Sequence, residues 1–293
     1  MEELNLSIAL ALLVLGISAG TYGVLIGSGG GFIVAPLLIV LFQLDHNLAV
    51  GTSMVTVFLA SISGSIGYLK LKRVDIRSSL LFSLAAVPGT FLGVQGLKLV
   101  PADIFQIVLG IILILLGLFL VLRPSSSQME NAVRLNDSIN KPQDTQNPSR
   151  TFGTTTRLIS TVDKGTFEYT YNEPLAISAN GLFGFMSGFF GMGGGPIRTP
   201  TLIYIFKFPT YIATATSVFT QGIYTGAGSI MHLIDGNVDT NKALLLGIGI
   251  IIGAQIAVKL SQVLQAQNIM RLLSVSFLII GFQLIRLGMR TFQ

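Results

Sequence analysis

Three residues beyond a run of glycines, Arg198 puts a guanidinium into an otherwise apolar stretch, "GMGGGPIRTP" from Gly191 to Pro200. A charge inside an apolar segment is expensive and usually marks function. The guanidinium stays protonated and offers five donors in a planar fork, which suits a sulfonate, sulfite or carboxylate better than a lysine ammonium would. The plainer alternative is that Arg198 snorkels to a nearby interface or caps backbone carbonyls; Lys207 is read as snorkelling.

The glycines before Arg198, namely Gly191, Gly193, Gly194 and Gly195, have a counterpart in "GSGGGFIVAP", with Gly27, Ser28, Gly29, Gly30 and Gly31. Each glycine costs a helix about 1 kcal/mol against alanine, so consecutive glycines favour a break or a re-entry. Bare backbone at bilayer depth survives only against protein or a wet cavity. A helix restarting there aims free N–H groups and its positive dipole end at the gap, which favours an anion. Packing is the competing reading, because Gly27 with Gly31 and Gly191 with Gly195 are G-x-x-x-G pairs that let helices approach closely. The third consecutive glycine and the proline that follows favour a broken-helix substrate site. Gly16 with Gly20 and Gly89 with Gly93 are read as packing alone.

Thr52 and Thr56 share one helical face beside Ser53, and Thr216, Ser217 and Thr220 repeat the pattern. Such hydroxyls can line a polar path, or bond back to their own helix carbonyls. The amide of Gln221 joins the candidate set, and Gln95 and Gln255 have weaker claims as helix cross-links. His46 and His232 fall at segment ends without partners at metal spacing, so no metal or other cofactor is expected. Asp45, Asp75, Asp103, Asp235 and Asp239 all fall at ends or loops, which leaves no carboxylate proton relay within a span. Export of an anion from an inside-negative cell gains about 2.3 kcal/mol per charge per 100 mV, so efflux could run without a coupled proton.

The elements that must position these residues follow from composition. The 293 residues are 51% hydrophobic and 11% charged, with no Cys or Trp; a soluble domain carries about 25% charge. Apolar runs long enough to cross a bilayer lie near 6–26, 47–68, 78–97 and 102–122, and again near 174–190, 210–232, 240–260 and 266–286. Shorter apolar pieces, 31–44 and 195–206, follow the glycines. The leader "MEELN" has two acids and no Lys or Arg, unlike a signal peptide, so the first run is kept in the mature chain. The formal charge of +5 is scattered as loop bias and makes no case for nucleic acid.

One gapless offset, 164 residues from Gly27 to Gly191, also pairs Pro36 with Pro200, Ala49 with Ala213, Thr52 with Thr216, Ser53 with Ser217, Asp75 with Asp239 and Gly89 with Gly253. The chain is therefore read as an internal duplication, the common build of secondary transporters whose site lies near mid-membrane. The expected fold is an all-α integral membrane protein of eight to ten transmembrane or re-entrant helical segments, with glycine-interrupted helices at the centre. Residues 1–122 form the first repeat, 123–172 a polar central loop and 173–293 the second repeat. "RPSSSQ" and "NKPQDTQNPS" read as flexible linker; "TRLISTVDKGTFEYTY" reads as a hairpin around Asp163, Lys164 and Gly165. "KLKRVDIR", Lys70 to Arg77, should be cytoplasmic. Its counterpart "LIDGNVDTNK" has only Lys242, which implies halves facing opposite ways with an odd number of crossings each. The cations Arg123, Arg286 and Arg290 that end the two halves argue instead for parallel halves.

At Gly27 to Pro36, Gly191 to Pro200 and the "AVGTS" of Ala49 to Ser53, the chain resembles the sulfite exporter TauE/SafE family, with "ATATS" replacing "AVGTS" in the second half. The resemblance implies a permease for small sulfur-containing or organic anions such as sulfite, sulfoacetate or related sulfonates, often working in export. A membrane enzyme would need a nucleophile, an acid–base pair or a metal set at depth, and none is present in the sequence. A passive anion channel or a structural membrane partner fits the hydropathy but accounts less well for paired glycine breaks; an uptake permease for small organic anions is the alternative reading. The expected setting is multi-pass in the plasma or inner membrane, with a small anion and the lipid bilayer as partners; a homodimer is compatible with it.

Overall fold

The computed structural model describes residues 6–122, 153–263 and 267–290. Among these it has ten helices and one hairpin: α1 Leu6–Ile26, α2 Gly31–Val40, α3 His46–Lys70, α4 Ile76–Leu97, α5 Ala102–Leu122, β1 Thr154–Thr161, β2 Gly165–Asn172, α6 Glu173–Phe190, α7 Gly195–Tyr204, α8 Thr210–Ile234, α9 Thr240–Val263 and α10 Gln267–Arg290. The linker expected in 123–152 lies outside the described residues. By length and composition α1, α3, α4, Ala102–Phe119 of α5, and α9 can each cross a bilayer. The protein is an all-α, multi-pass membrane protein.

Local chemistry sets the boundaries. Asp45 caps α3 by accepting from the Asn47 amide at 2.8 Å, and Asn172 caps α6 by accepting from the Leu175 amide at 3.0 Å. The ten-residue helices α2 and α7 are about 15 Å long, half the bilayer core of about 30 Å. They start at mid-depth because the residues before them adopt left-handed backbone: φ is +83° at Gly27, +70° at Gly29 and +87° at Gly30, and +66°, +71° and +68° at Gly191, Gly193 and Gly194. Side chains are strained there and glycine is not. Left-handed residues also pair across the same offset at Gln43 and Lys207 and at Lys72 and Gly236, and the bounds of α2 and α7 and of α3 and α8 coincide under it.

Helix directions follow from which residues touch. Along α3 and α8, Gly51 lies against His232, Met54 against Gly228, Phe58 against Gly226, Ser61 against Gly222 and Gly64 against Val218, so the two run antiparallel. Helix α1 runs parallel to α9 through backbone contacts at Gly16, Gly20, Gly249 and Gly253, and α4 runs parallel to α6 through Gly89, Gly93, Gly184 and Gly188. These are the close approaches that small residues permit. Helix α9 is parallel to α3, with Val258 against Gly67 and Leu59 against Gly247. It follows that α1, α3 and α9 point one way and α4, α6 and α8 the other. The stretches 6–122 and 173–290 therefore face opposite ways, as the cations of the α3–α4 loop suggested. The terminal cations misled because Arg286 lies on the face opposite that loop, lining a cavity with Gln43 and Gln283.

The hairpin pairs Thr154 with Asn172 through Thr161 with Gly165 and sits on the α3–α4 loop. Tyr169 donates to Asp75 at 2.7 Å, Arg157 donates to both Asp75 oxygens at 2.9 and 3.2 Å, and the Val162 amide donates to the Leu71 carbonyl at 3.1 Å. Tyr169 and Tyr171 pack with tilted rings against Phe208, just beyond the C-terminal end of α7. Burial alone would raise the Asp75 carboxyl, but hydrogen bonds from Arg157, Ser78 and Tyr169 outweigh it and hold the group below its ordinary 3.8. A depressed folded pKa contributes stability above the unfolded value and loses it as pH falls through the folded one. Amide exchange across β1–β2, corrected for its intrinsic pH dependence, is expected to be slow from neutral pH to about pH 4 and to accelerate below that. Unchanged protection at acid pH would show that Asp75 does not hold the hairpin.

Candidate functional site

The two glycine turns meet. Gly195 packs against Gly27 and Ser28, and Gly31 packs against the Gly191 carbonyl, so each turn sits at the start of the other turn's half-helix. All of Gly27–Gly31 and Gly191–Gly195 is buried. The crossing is closed in this conformation, with the first turns of α2 and α7 beginning on it.

Side chains from α3, α7 and α8 bind the turn carbonyls. Ser53 donates to the Gly31 and Gly191 carbonyls at 3.1 and 3.0 Å. Ser217 and Thr199 donate to the Gly27 carbonyl at 2.8 and 3.1 Å. Gln221 Nε2 donates to the carbonyls of Ser28 and Gly193 at 3.0 and 2.7 Å, tying the two turns together. The position related to Gln221 by the 164-residue offset is Val57, which lines the crossing with an apolar side chain beside Gly29, Gly31 and Gly193. Gln221→Leu leaves the buried Ser28 carbonyl without that donor, at about 1–3 kcal/mol, while the Gly193 carbonyl keeps the Tyr224 hydroxyl. The variant is expected to lower the melting temperature of the detergent-purified protein; equal melting points for Gln221→Leu and wild type would exclude the bridge.

The four threonines have other work. Thr52 accepts from the Asp239 amide at 2.9 Å and Thr216 from the Asp75 amide at 3.0 Å, each fastening the start of a helix in the opposite stretch. Thr56 donates to the Ser53 carbonyl and Thr220 to the Thr216 carbonyl, both at 2.7 Å within their own helices. Ser28 donates to the Gly23 carbonyl at 3.2 Å, closing its turn.

Arg198 is fully buried, one turn into α7. Its Nε donates to Asn180 Oδ1 at 2.8 Å, its Nη2 donates to the same oxygen, and its Nη1 donates to the Tyr224 hydroxyl at 3.2 Å. The guanidinium carbon stands 5.0 Å from the Tyr224 ring centroid, a cation–π arrangement. Tyr224 in turn donates to the Gly193 carbonyl, so Arg198 is one side chain removed from the turns. Among the described residues no carboxylate pairs with it. A buried charge held by neutral groups is under-compensated, and three hydrogen bonds leave part of the fork's five-donor capacity unused.

Thr199, Tyr224 and Asn180 complete the arrangement and were not singled out in the sequence. Their signal was asymmetry: Asn180 and Tyr224 stand where the first stretch has Gly16 and Ala60. His46 and His232 are both buried, His46 with its Nδ1 3.3 Å from an Asp45 oxygen, and among the described residues no group of three or more His, Asp or Glu could hold a metal ion. The cluster brings one buried guanidinium and its polar partners Asn180 and Tyr224 up to the glycine turns.

Comparison with known proteins gives one family and several relatives. The model of the family described as "Sulfite exporter TauE/SafE" matches residues 12–284. The chain is similar to the probable membrane transporter protein YunE of Bacillus subtilis, with 32% identity over 289 residues covering 94% of this chain and 97% of that one. It is similar to the probable membrane transporter protein MJ0441 of Methanocaldococcus jannaschii, with 27% identity covering 90% of each. A third, the probable membrane transporter protein YfcA of Escherichia coli K12, shares 23% identity over 80% of this chain and 74% of its own. No solved structure matches significantly.

Proposed function

Because this chain belongs to the sulfite exporter TauE/SafE family of membrane transporters, we propose that it carries small sulfur-containing oxyanions or organosulfonates, sulfite and sulfoacetate among them, out of the cell. The observation that carries the reading is the buried Arg198, which has no carboxylate partner among the described residues and is joined through Tyr224 to two half-helices that start back to back at the glycine crossing. A charge in that position is best compensated by a mobile anion, and the helix starts add positive potential where it would rest. The two opposite-facing stretches then act as inverted repeats that rock about the crossing and open it to one side at a time. Export accords with the membrane potential, which drives an anion outward.

A thermal-shift screen of purified protein with sulfite, thiosulfate, sulfoacetate, taurine and small carboxylates tests the substrate class. Stabilisation by the sulfur oxyanions and sulfonates, with none by zwitterionic taurine, is the expected pattern. Stabilisation by none of the sulfur anions, or by taurine alone, would overturn it.

A further inference from the structure

A second buried guanidinium lies on the face that carries the hairpin. Arg73, in the α3–α4 loop, is 1% exposed, yet its partner comes from far along the chain. Its Nε donates to Asp163 Oδ1 at 3.1 Å and its Nη2 to Asp163 Oδ2, a two-oxygen grip on the turn of the hairpin. Its Nη1 donates to Ser261 at 3.0 Å, and its guanidinium lies 5.0 Å from the Tyr211 ring centroid. Beneath it a small cavity of about 20 Å³ is lined by Leu25, Tyr68, Tyr211, Thr214 and Ser261. Thr214 also lies against Gly27, so the cavity abuts the glycine crossing.

We propose that Arg73, with Ser261, is a second binding site for a small oxyanion, a station between the crossing and the hairpin face, which the Asp163 carboxylate occupies when the hairpin is down. This rests on the anion-carrier reading above. Two carboxylate oxygens on a guanidinium fork reproduce how a sulfite, sulfate or sulfonate would sit there. Asp163 keeps 20% of its side chain exposed while Arg73 is sealed, so the carboxylate is the partner that can leave. Once it leaves, Arg73 has lost its counter-charge, and an arriving anion is what restores it. Lifting of the hairpin turn and binding of the anion are therefore linked. If the pair were only a staple, neutralising Asp163 would loosen the hairpin and create no anion site.

Isothermal titration of the full chain with sulfate separates the two. Asp163→Asn is expected to add a sulfate site, or to raise affinity about tenfold or more, the size of a typical coupling between competitors, and Arg73→Gln in that background should remove the gain. Wild type and Arg198→Met report the crossing itself, so loss of binding in Arg198→Met with the Asp163→Asn gain intact supports both sites. A gain that Arg198→Met leaves as the only change fells the crossing assignment and keeps this one. Should Asp163→Asn not fold, exchange of the Val162 amide in the wild type replaces it, with sulfate accelerating exchange more than chloride at equal ionic strength. An Asp163→Asn variant that titrates like wild type, or in the substitute measurement an exchange rate indifferent to sulfate, would overturn the second site.

Discussion

Replacing Arg198 by Met is expected to abolish anion transport while leaving a folded protein at least as heat-stable as the wild type. Most buried contacts lose stability when cut, so this combination is specific. The wild-type guanidinium is fully buried and among the described residues its hydrogen-bond partners are Asn180 and Tyr224, and replacing a buried charge with an apolar side chain of similar volume is often neutral or stabilising. Tyr224 keeps its bond to the Gly193 carbonyl, and Asn180 keeps its bond to the Ala176 carbonyl at 2.7 Å, so the turns retain their supports. Loss of a charge-assisted contact to the substrate costs about 1.5–3 kcal/mol, roughly 10- to 100-fold in affinity. Arg198→Lys should also fail, because one ammonium cannot reach Asn180 and Tyr224 in the planar arrangement the fork uses. Flux in proteoliposomes and melting in detergent are the paired measurements; transport at wild-type rate, or collapse of the fold, would remove Arg198 from the substrate path.

The second large effect is expected from one methyl group. In Gly195→Ala the new Cβ would overlap the Cα of Ser28 and press on the Gly27 carbonyl, both backbone, so neither can swing aside. The turns must separate, with an overpacking cost of about 1–3 kcal/mol and loss of the alignment between the two half-helices. Gly31→Ala meets the Gly191 carbonyl in the same way. Both variants should lose transport and melt earlier. Gly96→Ala is the control: its nearest neighbour would be Phe189 at 3.5 Å, ordinary contact, and no loss of transport or stability is expected. Full activity in Gly195→Ala would mean that the turns need not touch.

Much of this molecule could be read from its residues. The apolar runs near 6–26 and 210–232 became α1 and α8 almost residue for residue, because bilayer thickness fixes helix length and end residues such as Asp45 fix the start. The glycine breaks were legible because residues with a Cβ rarely tolerate positive φ. Direction was not, since the Lys-rich α3–α4 loop and the terminal cations disagreed, and the antiparallel packing of Gly51 on His232 and Gly64 on Val218 decides it. The site was legible in part. Ser53, Ser217 and Gln221 reach the turns, whereas Thr56 and Thr220 bond within their own helices, and no spacing rule distinguishes those fates for residues on one face. Arg73 stayed hidden because its partner Asp163 lies 90 positions away on an element whose docking no local pattern encodes.

Counterflow of radiolabelled sulfite in proteoliposomes tests most directly whether the glycine crossing is an anion carrier site. Vesicles loaded with unlabelled sulfite should accumulate label transiently and saturably with the wild-type protein, and not with Arg198→Met or Gly195→Ala. Label entry that rises linearly with concentration, without counterflow, or counterflow that both variants retain, would contradict the account.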